Sequence, residues 1–436
     1  MSDASPQSPL RIAIAGLGTV GAGVIRLLDT NRDLVAARAG RGIEVTAVSA
    51  RDRNKDRGVD HQRFHWEDDM IALAGREDVD VVLELVGGSD GPALALSRAT
   101  LEAGKGLVTA NKAMIAHHGL VLAEKAESLG APLKFEAAVA GGIPVVKGLR
   151  EGTSANELTK VYGILNGTCN YILSEMEATG ADFDVVLAEA QRLGYAEADP
   201  TFDIEGIDAA HKLAILAAIG FGAKVDFASV RTKGIVAVRA ADIAQADALG
   251  FVIRLIAEAD AKDGKLLQRV RPCLVAKDHP LAPVDGPTNA VVAEGNFSGR
   301  LLFQGAGAGD GPTASAVVAD LIDIAREEVG APFSMPVSQL APLGPAEPGE
   351  RLERTYLRFT VNDRPGVLAE ITAAMRDADV SIESLIQQGR GGVDGEVLVA
   401  MVTHEGPERS VGKALELLDG SDSLTAAPLV LPILPN

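Results

Sequence analysis

The residues best suited to chemistry lie between Ala190 and Lys212, in the stretch AQRLGYAEADPTFDIEGIDAAHK. From Tyr195 onward, Lys212 is the only certain cation beside five carboxylates: Glu197, Asp199, Asp203, Glu205 and Asp208. Asp208 and Lys212 are four residues apart in an apolar run that predicts a helix, which places both side chains on one face. Such a set suits recognition of a small ammonium-bearing molecule beside a proton donor. A solvated acidic loop with an ordinary surface ion pair is the alternative, and charge density alone favours it.

A glycine pattern near the start of the chain predicts a dinucleotide site. The apolar run RIAIA at 11–15 leads into GLGTVG and then into an apolar-periodic segment, which indicates strand, turn and helix. Glycines in this pattern permit a tight turn and close approach of a pyrophosphate, and the helix N-terminus supplies N–H donors. The predicted cofactor-binding residues are Gly16, Leu17, Gly18, Thr19, Val20 and Gly21.

The end of the second predicted strand bears on the choice between NAD and NADP. NAD enzymes usually place Asp or Glu there to bind the ribose hydroxyls. Here the strand ends in Ser49-Ala50, and Arg51 follows it with further bases at 53, 55 and 57. Arg51 could bind a 2′-phosphate, which favours NADP and leaves NAD possible. The alternative is a solvated loop in which these bases alternate with aspartates.

Two further features fit a ligand cleft without proving one. Lys112 follows the apolar run GLVTA, and α/β sheets place ligands at the carboxyl ends of their strands. By itself it could equally be a plain exposed lysine. The glycine-rich GAGAG at 305–309 either cradles the nicotinamide end of a dinucleotide or is a tight connection. The histidines lack the spacing of a metal site or a relay, so a catalytic transition metal is not expected.

Composition excludes several classes of protein. The chain has 436 residues, 47% of them hydrophobic, and a formal net charge of −19, which argues against binding to nucleic acid or an anionic membrane. Cys169 and Cys273 are too few for a disulfide framework, so a reducing cytoplasm fits. The N-terminus does not resemble a signal peptide, and no apolar run is long enough to span a membrane. We therefore expect a soluble cytoplasmic protein of two or three domains.

Alternating strands and helices predict an α/β fold with a mostly parallel sheet in the first part of the chain. The predicted strands are 11–15, 43–49, 81–86, 106–109 and 133–139. Later helices at 170–178, 184–193 and 207–219, followed by strands at 266–276, 289–296 and 300–304, predict an α+β substrate domain. A helix after residue 312 could return to pack on the first domain.

A proline-rich stretch at 331–349 predicts a linker. Beyond it the order βαββαβ, with a glycine-rich hairpin at 389–395, predicts a ferredoxin-like unit. The predicted domains are 1–140 with a return segment at 305–330, 141–304, a linker at 331–353, and 354–436.

The 190–212 stretch, GLGTVG and TANK at 109–112 together resemble homoserine dehydrogenase. That family's signature combines Gly-aromatic-small, Asp-Pro, a spaced Asp, Gly-x-Asp and a lysine four residues later, and this sequence matches every part. The similarity extends through ILNGTCNYIL at 164–173, EAAVAGGIP at 136–144 and GAGAGDGPTA at 305–314. The tail is similar to an ACT domain through NDRPGVLAEI at 362–371. No kinase-sized extension precedes the match, so the monofunctional form is expected.

The resemblance implies a Rossmann NAD(P) domain, an α+β substrate and dimerisation domain, and a regulatory ACT domain. It also implies reversible reduction of L-aspartate 4-semialdehyde to L-homoserine, a step toward threonine, methionine and isoleucine. Lys212 resembles the family's proton donor and Lys112 its second active-site lysine, and proton transfer cannot be divided between them. Asp208 would orient Lys212 or hold substrate. The other implied substrate contacts are Glu197, Asp203 and Thr168, and the other implied cofactor contacts are Lys112, Gly194 and Gly309.

Regulation and ions are also implied by the resemblance. A sodium site would use one carboxylate and backbone carbonyls, from Glu136, Val139, Gly141 and Ile143. An amino-acid effector, with L-threonine as the natural candidate, would bind Asn362, Asp363, Gly366, Val367 and Leu368. A dimerisation module without a ligand is the alternative for the tail. A homodimer or homotetramer is expected. The alternatives are another Rossmann enzyme that acts on an aspartate-derived substrate and a catalytically silent sensor of dinucleotide and amino acid.

Overall fold

The computed structural model describes residues 8–388 and 396–435. The hairpin predicted at 389–395 lies outside the described residues. Among the described residues no helix is both long enough and apolar enough to cross a membrane.

The first domain is a parallel sheet with helices packed against it, as predicted. Its strands are β1 (Leu10–Ala15), β2 (Ile43–Ser49), β3 (His65–Trp66), β4 (Val81–Glu84), β5 (Gly106–Thr109) and β6 (Leu133–Lys134). Their order is β3-β2-β1-β4-β5-β6, and every pairing is parallel. The helices are α1 (Thr19–Thr30), α2 (Arg32–Ala39), α3 (Pro92–Glu102) and α4 (Lys112–Leu129). This is the doubly wound arrangement in which ligands bind where the strand order reverses, here at the end of β1.

The strand predicted over 133–139 is wrong beyond Lys134. The chain turns into a short 3₁₀ helix at Glu136–Ala138, because the Glu136 N–H donates to the carboxylate of Asp320 at 2.9 Å instead of continuing the ladder. This turn carries the backbone out of the first sheet and into the second domain.

The second domain has a mixed sheet whose main path is β12-β11-β7-β9-β10-β13, with β8 paired to β10. The strands are β7 (Leu158–Ile164), β8 (Arg231–Thr232), β9 (Phe251–Lys262), β10 (Lys265–Ala276), β11 (Thr288–Gly295), β12 (Gly299–Ala306) and β13 (Gly344–Pro345). The helices are α5 (Val145–Lys147), α6 (Gly167–Thr179), α7 (Phe183–Leu193), α8 (Thr201–Ile204), α9 (Ile207–Phe221) and α10 (Ala240–Ala248). The α+β prediction is confirmed, although it lacked β7 and β9.

Helix α11 (Asp310–Ala325) returns to the first domain. Its apolar face, including Val317 and Leu321, shares a buried core with β1 and α1. Close approach depends on Gly23, since a Cβ there would lie 1.9 Å from Oδ1 of Asp310. Helix α11 therefore packs against the first domain.

The proline-rich stretch after α11 is packed, not a free tether. Phe333, Val337 and Leu340 are buried in the core of the second domain. The segment contains two 3₁₀ turns, Val337–Gln339 and Pro348–Glu350, separated by β13.

The C-terminal domain has the predicted βαββαβ order. Its main strands, β15 (Thr355–Asn362), β16 (Ile382–Gln388), β17 (Glu396–Thr403) and β19 (Leu424–Pro432), form an antiparallel sheet in the order β16-β17-β15-β19. A small ladder joins β14 (Leu352–Glu353) to β18 (Gly406–Pro407). The helices are α12 (Val367–Asp377) and α13 (Glu408–Leu417).

Both faces of this sheet are covered. Leu357 and Phe359 of β15 pack under α12 and α13, whereas Tyr356, on the alternate face, belongs to the core of the second domain. The buried Arg358 side chain pairs with Asp242 of α10 at 2.8 Å. The C-terminal domain is therefore built onto the second domain.

Candidate active site

The glycine turn between β1 and α1 has the close contacts that the sequence pattern predicts. Gly16 has φ +99°, and a Cβ on Gly21 would lie 2.0 Å from the Gly16 carbonyl oxygen. A Cβ on Gly18, by contrast, would meet no atom within 4 Å. Gly18 is the N-cap of α1 and gives that helix no side-chain cap, so N–H groups of its first turn face open space. This cradle fits the pyrophosphate of a dinucleotide.

A cavity of about 930 Å³ lies between the first and second domains, beside this turn. It brings together nine of the predicted site residues: Val20, Lys112, Gly141, Thr168, Gly194, Asp203, Asp208, Lys212 and Gly309. The cavity joins the carboxyl edge of the parallel sheet to the start of α9. Its size suits the nicotinamide end of a cofactor together with a small substrate.

The chemical centre of the cavity is a carboxylate between two lysines. Asp208 Oδ2 lies 2.7 Å from Lys212 Nζ, and Asp208 Oδ1 lies 3.1 Å from Lys112 Nζ. Burial would raise the pKa of Asp208, but the Lys212 and Lys112 ammonium groups hold it well below its usual range. Asp208 is therefore ionised at any physiological pH.

Each lysine has a defined support. Lys212, on buried helix α9, also donates to the Leu165 carbonyl at 2.7 Å, so one of its three N–H donors stays available to the cavity. Lys112 opens α4, whose N-cap Asn111 accepts from Met114 N and donates to the Gly88 carbonyl. Lys112 is the more accessible of the two, with 33% of its side chain exposed against 10% for Lys212.

Asn166 is a site residue that the sequence prediction missed. Its Nδ2 group donates to Asp203 at 2.7 Å and to Asp208 at 2.8 Å, while its Oδ1 caps α6 at Cys169 N. An Asn before a predicted helix signals a cap, but nothing in the sequence shows that the same amide joins two distant carboxylates.

Asp203 and Thr168 also line the cavity. Burial raises the pKa of Asp203, and the neighbouring Asp208 charge adds to that effect. Thr168 donates to the Tyr195 carbonyl at 2.8 Å, which ties the start of α6 to the loop after α7. A cationic group entering the cavity would offset the cost of ionised Asp203.

Glu197 and Arg51 are among the predicted residues that do not line the cavity. Glu197 is exposed on the loop beyond Tyr195, and its carboxylate makes no hydrogen bond or ion pair within the described part of the chain. Arg51 is exposed just after β2, and its guanidinium is likewise unpaired among the described residues. Its neighbour Arg57 donates to the Leu17 carbonyl at 2.9 Å, so this basic loop touches the glycine turn directly.

The four residues of the predicted sodium site lie on one turn at the junction of the domains. Both oxygens of Glu136 accept backbone N–H groups, from Val146 at 3.0 Å and Lys147 at 2.8 Å. Gly141 has φ +52° and packs so closely on Gly307 that a Cβ would lie 2.6 Å from its carbonyl oxygen. The described residues contain no group of three or more His, Cys, Asp or Glu side chains that could hold a metal ion. Carbonyl oxygens would have to supply most ligands, which suits a monovalent cation.

The predicted effector residues lie together at the start of α12. Asn362 ends β15 and donates to the Asp422 carbonyl at 2.9 Å. Asp363 and Gly366 are exposed, and Gly366, with φ +98°, is an N-cap that offers α12 no side-chain bond. Val367 is buried and Leu368 half-buried beneath them.

The nearby histidines and cysteine are structural. Burial and the adjacent His117 lower the pKa of His211 to about 4, and its ring stacks on Phe227 with 4.2 Å between centroids. Burial also raises the pKa of the Cys169 thiol well above its ordinary value. An imidazole with so low a pKa is a weak base at neutral pH, and an unionised thiol is a weak nucleophile.

Comparison with known proteins identifies the family of the chain. Family models match at 16–136 (homoserine dehydrogenase, NAD binding domain), 144–322 (homoserine dehydrogenase) and 355–420 (ACT domain). The homoserine dehydrogenase of Pseudomonas aeruginosa is 44% identical over 426 residues, which cover 96% of this chain and 97% of that protein. The crystal structure of a homoserine dehydrogenase from Thiobacillus denitrificans superimposes with a TM-score of 0.92 at 39% identity, covering 99% of each chain. A hyperthermophilic archaeal homoserine dehydrogenase in complex with NADPH covers 73% of this chain and 97% of its own, with a TM-score of 0.61 at 26% identity.

The glycine turn, the interdomain cavity and the lysine-flanked carboxylate define an NAD(P)-dependent oxidoreductase that acts on a CH–OH group. More particularly, the chain belongs to the homoserine dehydrogenase family. Its reaction is the reversible reduction of L-aspartate 4-semialdehyde to L-homoserine, in the biosynthesis of threonine, methionine and isoleucine.

Proposed function

We propose that Lys212 donates the proton and that Asp208 and Lys112 hold it in place for that step. This proposal rests on one observation: the buried Asp208 carboxylate binds both ammonium groups, at 2.7 Å from Lys212 Nζ and 3.1 Å from Lys112 Nζ. A dinucleotide held at the glycine turn between β1 and α1 would supply a hydride to the aldehyde carbon. The free N–H of Lys212 stabilises the developing alkoxide and then transfers its proton to that oxygen. In the reverse direction the neutral amine takes the proton from the hydroxyl of homoserine.

Asp203, Glu197 and Thr168 are proposed to hold the amino-acid end of the substrate. Asp203 is a half-buried carboxylate in the cavity, and an ammonium group is a suitable partner for it. Glu197 follows the cavity residue Tyr195 by two positions and has an unpaired carboxylate within the described structure. Thr168 adds a hydroxyl at the cavity wall. Asp208 itself is proposed to act mainly on the two lysines, because both of its oxygens already bind them.

We propose that the preferred cofactor is NADP, with NAD as a second substrate. The strand β2 ends without an acidic residue that would bind ribose hydroxyls, and the exposed Arg51 follows it. Gly194 and Gly309 line the cavity, where their backbones would contact the nicotinamide end. NADPH in the archaeal relative supports the same preference.

A sodium ion is proposed at the turn formed by Glu136, Val139, Gly141 and Ile143, where it would brace the domain junction. The compact turn next to Gly307 supports this placement. Exchange of sodium for a bulky organic cation should lower thermal stability. A melting temperature that does not depend on the cation would refute the proposal.

We propose L-threonine as an effector at Asn362, Asp363, Gly366, Val367 and Leu368. The uncapped N-terminus of α12 offers N–H donors to a carboxylate, and the exposed Asp363 offers a partner to an amine. Asp363→Ala should raise the half-inhibitory threonine concentration about tenfold or more, as expected for one charge-assisted bond. Asp419→Ala, in the same domain, is the control. Equal sensitivity in wild type and Asp363→Ala would refute sensing at this loop.

The remaining proposals concern assembly and location. We propose a homodimer or homotetramer joined through β12, the edge strand of the second sheet, near which Phe297 is 88% exposed. The free, buried Cys169 and Cys273 support a cytoplasmic location. The domain bounds proposed are 1–140 with 305–330, 141–304, a connecting segment at 331–353, and 354–436. Light scattering would decide the assembly, and a monomer at assay concentration would refute it.

Absorbance at the NADPH band with L-aspartate 4-semialdehyde tests the proposed chemistry. Wild type should oxidise NADPH only when the aldehyde is present, and NADH should support a slower reaction. An enzyme that used NADH more efficiently than NADPH would contradict the proposed cofactor preference.

A further inference from the structure

The segment from Asp203 to Asp208, which joins α8 to α9 and which we term the site loop, is held by residues outside the cavity. Ile204 O accepts the N–H of Ile235 at 3.0 Å. A Cβ on Gly234 would lie 2.4 Å from the same carbonyl oxygen and 2.9 Å from Glu205 Cα. The site loop therefore rests directly on the backbone of residues 231–239, which we term the bridge segment.

The other side of the bridge segment is bound by the C-terminal domain. Lys233 Nζ donates to the Val430 carbonyl of β19 at 3.1 Å, and Arg358 of β15 donates to the Ala237 carbonyl at 3.1 Å. Lys233, which contacts Val430 of the C-terminal domain, and Ile235, which contacts Ile204, are two residues apart. No more than about 7 Å of backbone therefore separates these two residues.

Arg358 is itself fixed by a buried network. Its Nε donates to Asp242 Oδ1 at 2.8 Å, the Tyr356 hydroxyl donates to the same oxygen at 3.2 Å, and Asp242 Oδ2 accepts the Arg239 N–H at 2.9 Å. Because the side chains of Tyr356, Arg358 and Asp242 are buried, a shift of β15 would carry the end of the bridge segment with it.

A second route runs through strand β10. Arg269 and Arg271 point to one face, where both bind Glu353 at the start of the C-terminal domain, at 3.2 and 2.6 Å. Val270, on the opposite face, lies against the loop: a Cβ on Gly206 would be 3.0 Å from its Cγ1. Val270 also accepts the Lys233 N–H at 2.8 Å, so both routes meet at the loop.

We propose that Gly234 and Arg358 are positioning residues, through which the C-terminal domain sets the geometry of the Asp203–Asp208 loop and hence the affinity for the amino-acid substrate. Neither residue lines the cavity among the described residues. This proposal rests on the substrate role proposed above for Asp203. It requires no bound effector, because the contacts are part of the fold.

Steady-state kinetics of the full chain with L-homoserine and NADP test the proposal. Gly234→Ala, whose methyl must push the Ile204 carbonyl, should raise the KM for homoserine about tenfold and leave the KM for NADP within about twofold. Gly412→Ala is the matched control. Like Gly234, Gly412 has a backbone outside the left-handed region, but a Cβ on Gly412 would meet no atom within 4 Å. That control should match wild type in both constants.

A second pair of variants covers the case in which Gly234→Ala does not fold. Arg358→Lys keeps the charge beside Asp242 but cannot also reach the Ala237 carbonyl, so the KM for homoserine should rise about threefold. The control is Arg354→Lys, because the Arg354 guanidinium binds the exposed Glu383 side chain. This substitution should leave the KM for homoserine unchanged. An unchanged KM for homoserine in folded Arg358→Lys, or in folded Gly234→Ala, would overturn the proposal. An unchanged KM for homoserine in folded Asp203→Asn would contradict the proposed substrate role of Asp203 instead.

Discussion

Asp208 and Lys212 form a buried ion pair, 2.7 Å long, across one turn of α9. The same carboxylate reaches Lys112, from a different domain, with its other oxygen at 3.1 Å. Asp208 is thus the point at which the substrate domain and the dinucleotide domain share a charge. Because the carboxylate stays ionised, it can hold the Lys212 and Lys112 side chains in place for the proton transfer.

Replacement of Asp208 by Asn should damage both stability and catalysis. Two ammonium groups would then face a neutral amide in a buried site, which costs about 3–5 kcal/mol when one partner of a buried pair is lost. We expect turnover to fall by ~10²-fold, as for loss of a positioned acid–base group. Denaturant unfolding and steady-state kinetics measure the two effects. Asp199→Asn, on the exposed part of the same loop, should behave as wild type, and equal effects of the two changes would contradict the role of Asp208.

Gly18→Ala should weaken cofactor binding without unfolding the protein. The methyl would enter the open space proposed for the pyrophosphate, and overpacking of one methyl costs about 1–3 kcal/mol, or roughly 10–100-fold in Kd. Titration of NADPH fluorescence gives the Kd. Gly75→Ala also adds a methyl in open space but lies away from the cradle, so its Kd should not change. If Gly18→Ala bound NADPH as tightly as wild type, the pyrophosphate would not lie beside Gly18.

Arg51→Ala should lower the preference for NADP over NAD. Loss of a charge-assisted bond to the 2′-phosphate costs about 1.5–3 kcal/mol, so kcat/KM for NADPH should fall about 10–100-fold while that for NADH stays constant. Lys55→Ala, in the same loop, serves as the control. An equal fall in kcat/KM with NADPH and with NADH would show that Arg51 does not bind the 2′-phosphate.

Asp203→Asn should stabilise the free enzyme and weaken substrate binding. Because burial raises the folded-state pKa of Asp203, its ionisation opposes folding. This cost is absent below the unfolded pKa of about 3.9 and fully present above the folded pKa. At neutral pH the variant should therefore melt at a higher temperature, and the advantage over wild type should vanish as the pH falls toward 3.9. The KM for homoserine should rise about tenfold with the loss of the ammonium partner. A lower melting temperature at neutral pH would contradict the assigned direction.

Local patterns in the sequence were sufficient to predict most of the fold. The glycines at 16, 18 and 21 have short-range roles, since their contacts lie within one strand–turn–helix unit. The βαββαβ order of the C-terminal domain also follows from local periodicity. Strand β9 was missed because its second half, AEADAK, has helix-forming residues and is a strand only through pairing with β7 and β10.

The site was predictable in its residues and less so in its connections. Asp208 and Lys212 are four apart on one helix, so their contact follows from spacing. Lys112 reaches Asp208 only through the packing of two domains, and Asn166 reaches it only through the tertiary packing of the second domain, so no local pattern encodes either contact. Strand β6 ends earlier than predicted for the same reason. The Glu136 N–H donates to the carboxylate of Asp320, which is far away in the chain.

Turnover of Lys212→Ala tests the central claim most directly. Rapid mixing of L-aspartate 4-semialdehyde with the NADPH-loaded enzyme should show NADPH oxidation slowed by ~10²–10⁴-fold, because the alkoxide loses its proton donor. Lys125→Ala, on the exposed side of α4, should react at the wild-type rate, and NADPH should still bind to both variants. If folded, NADPH-bound Lys212→Ala oxidised its cofactor as fast as wild type, Lys212 would not be the proton donor.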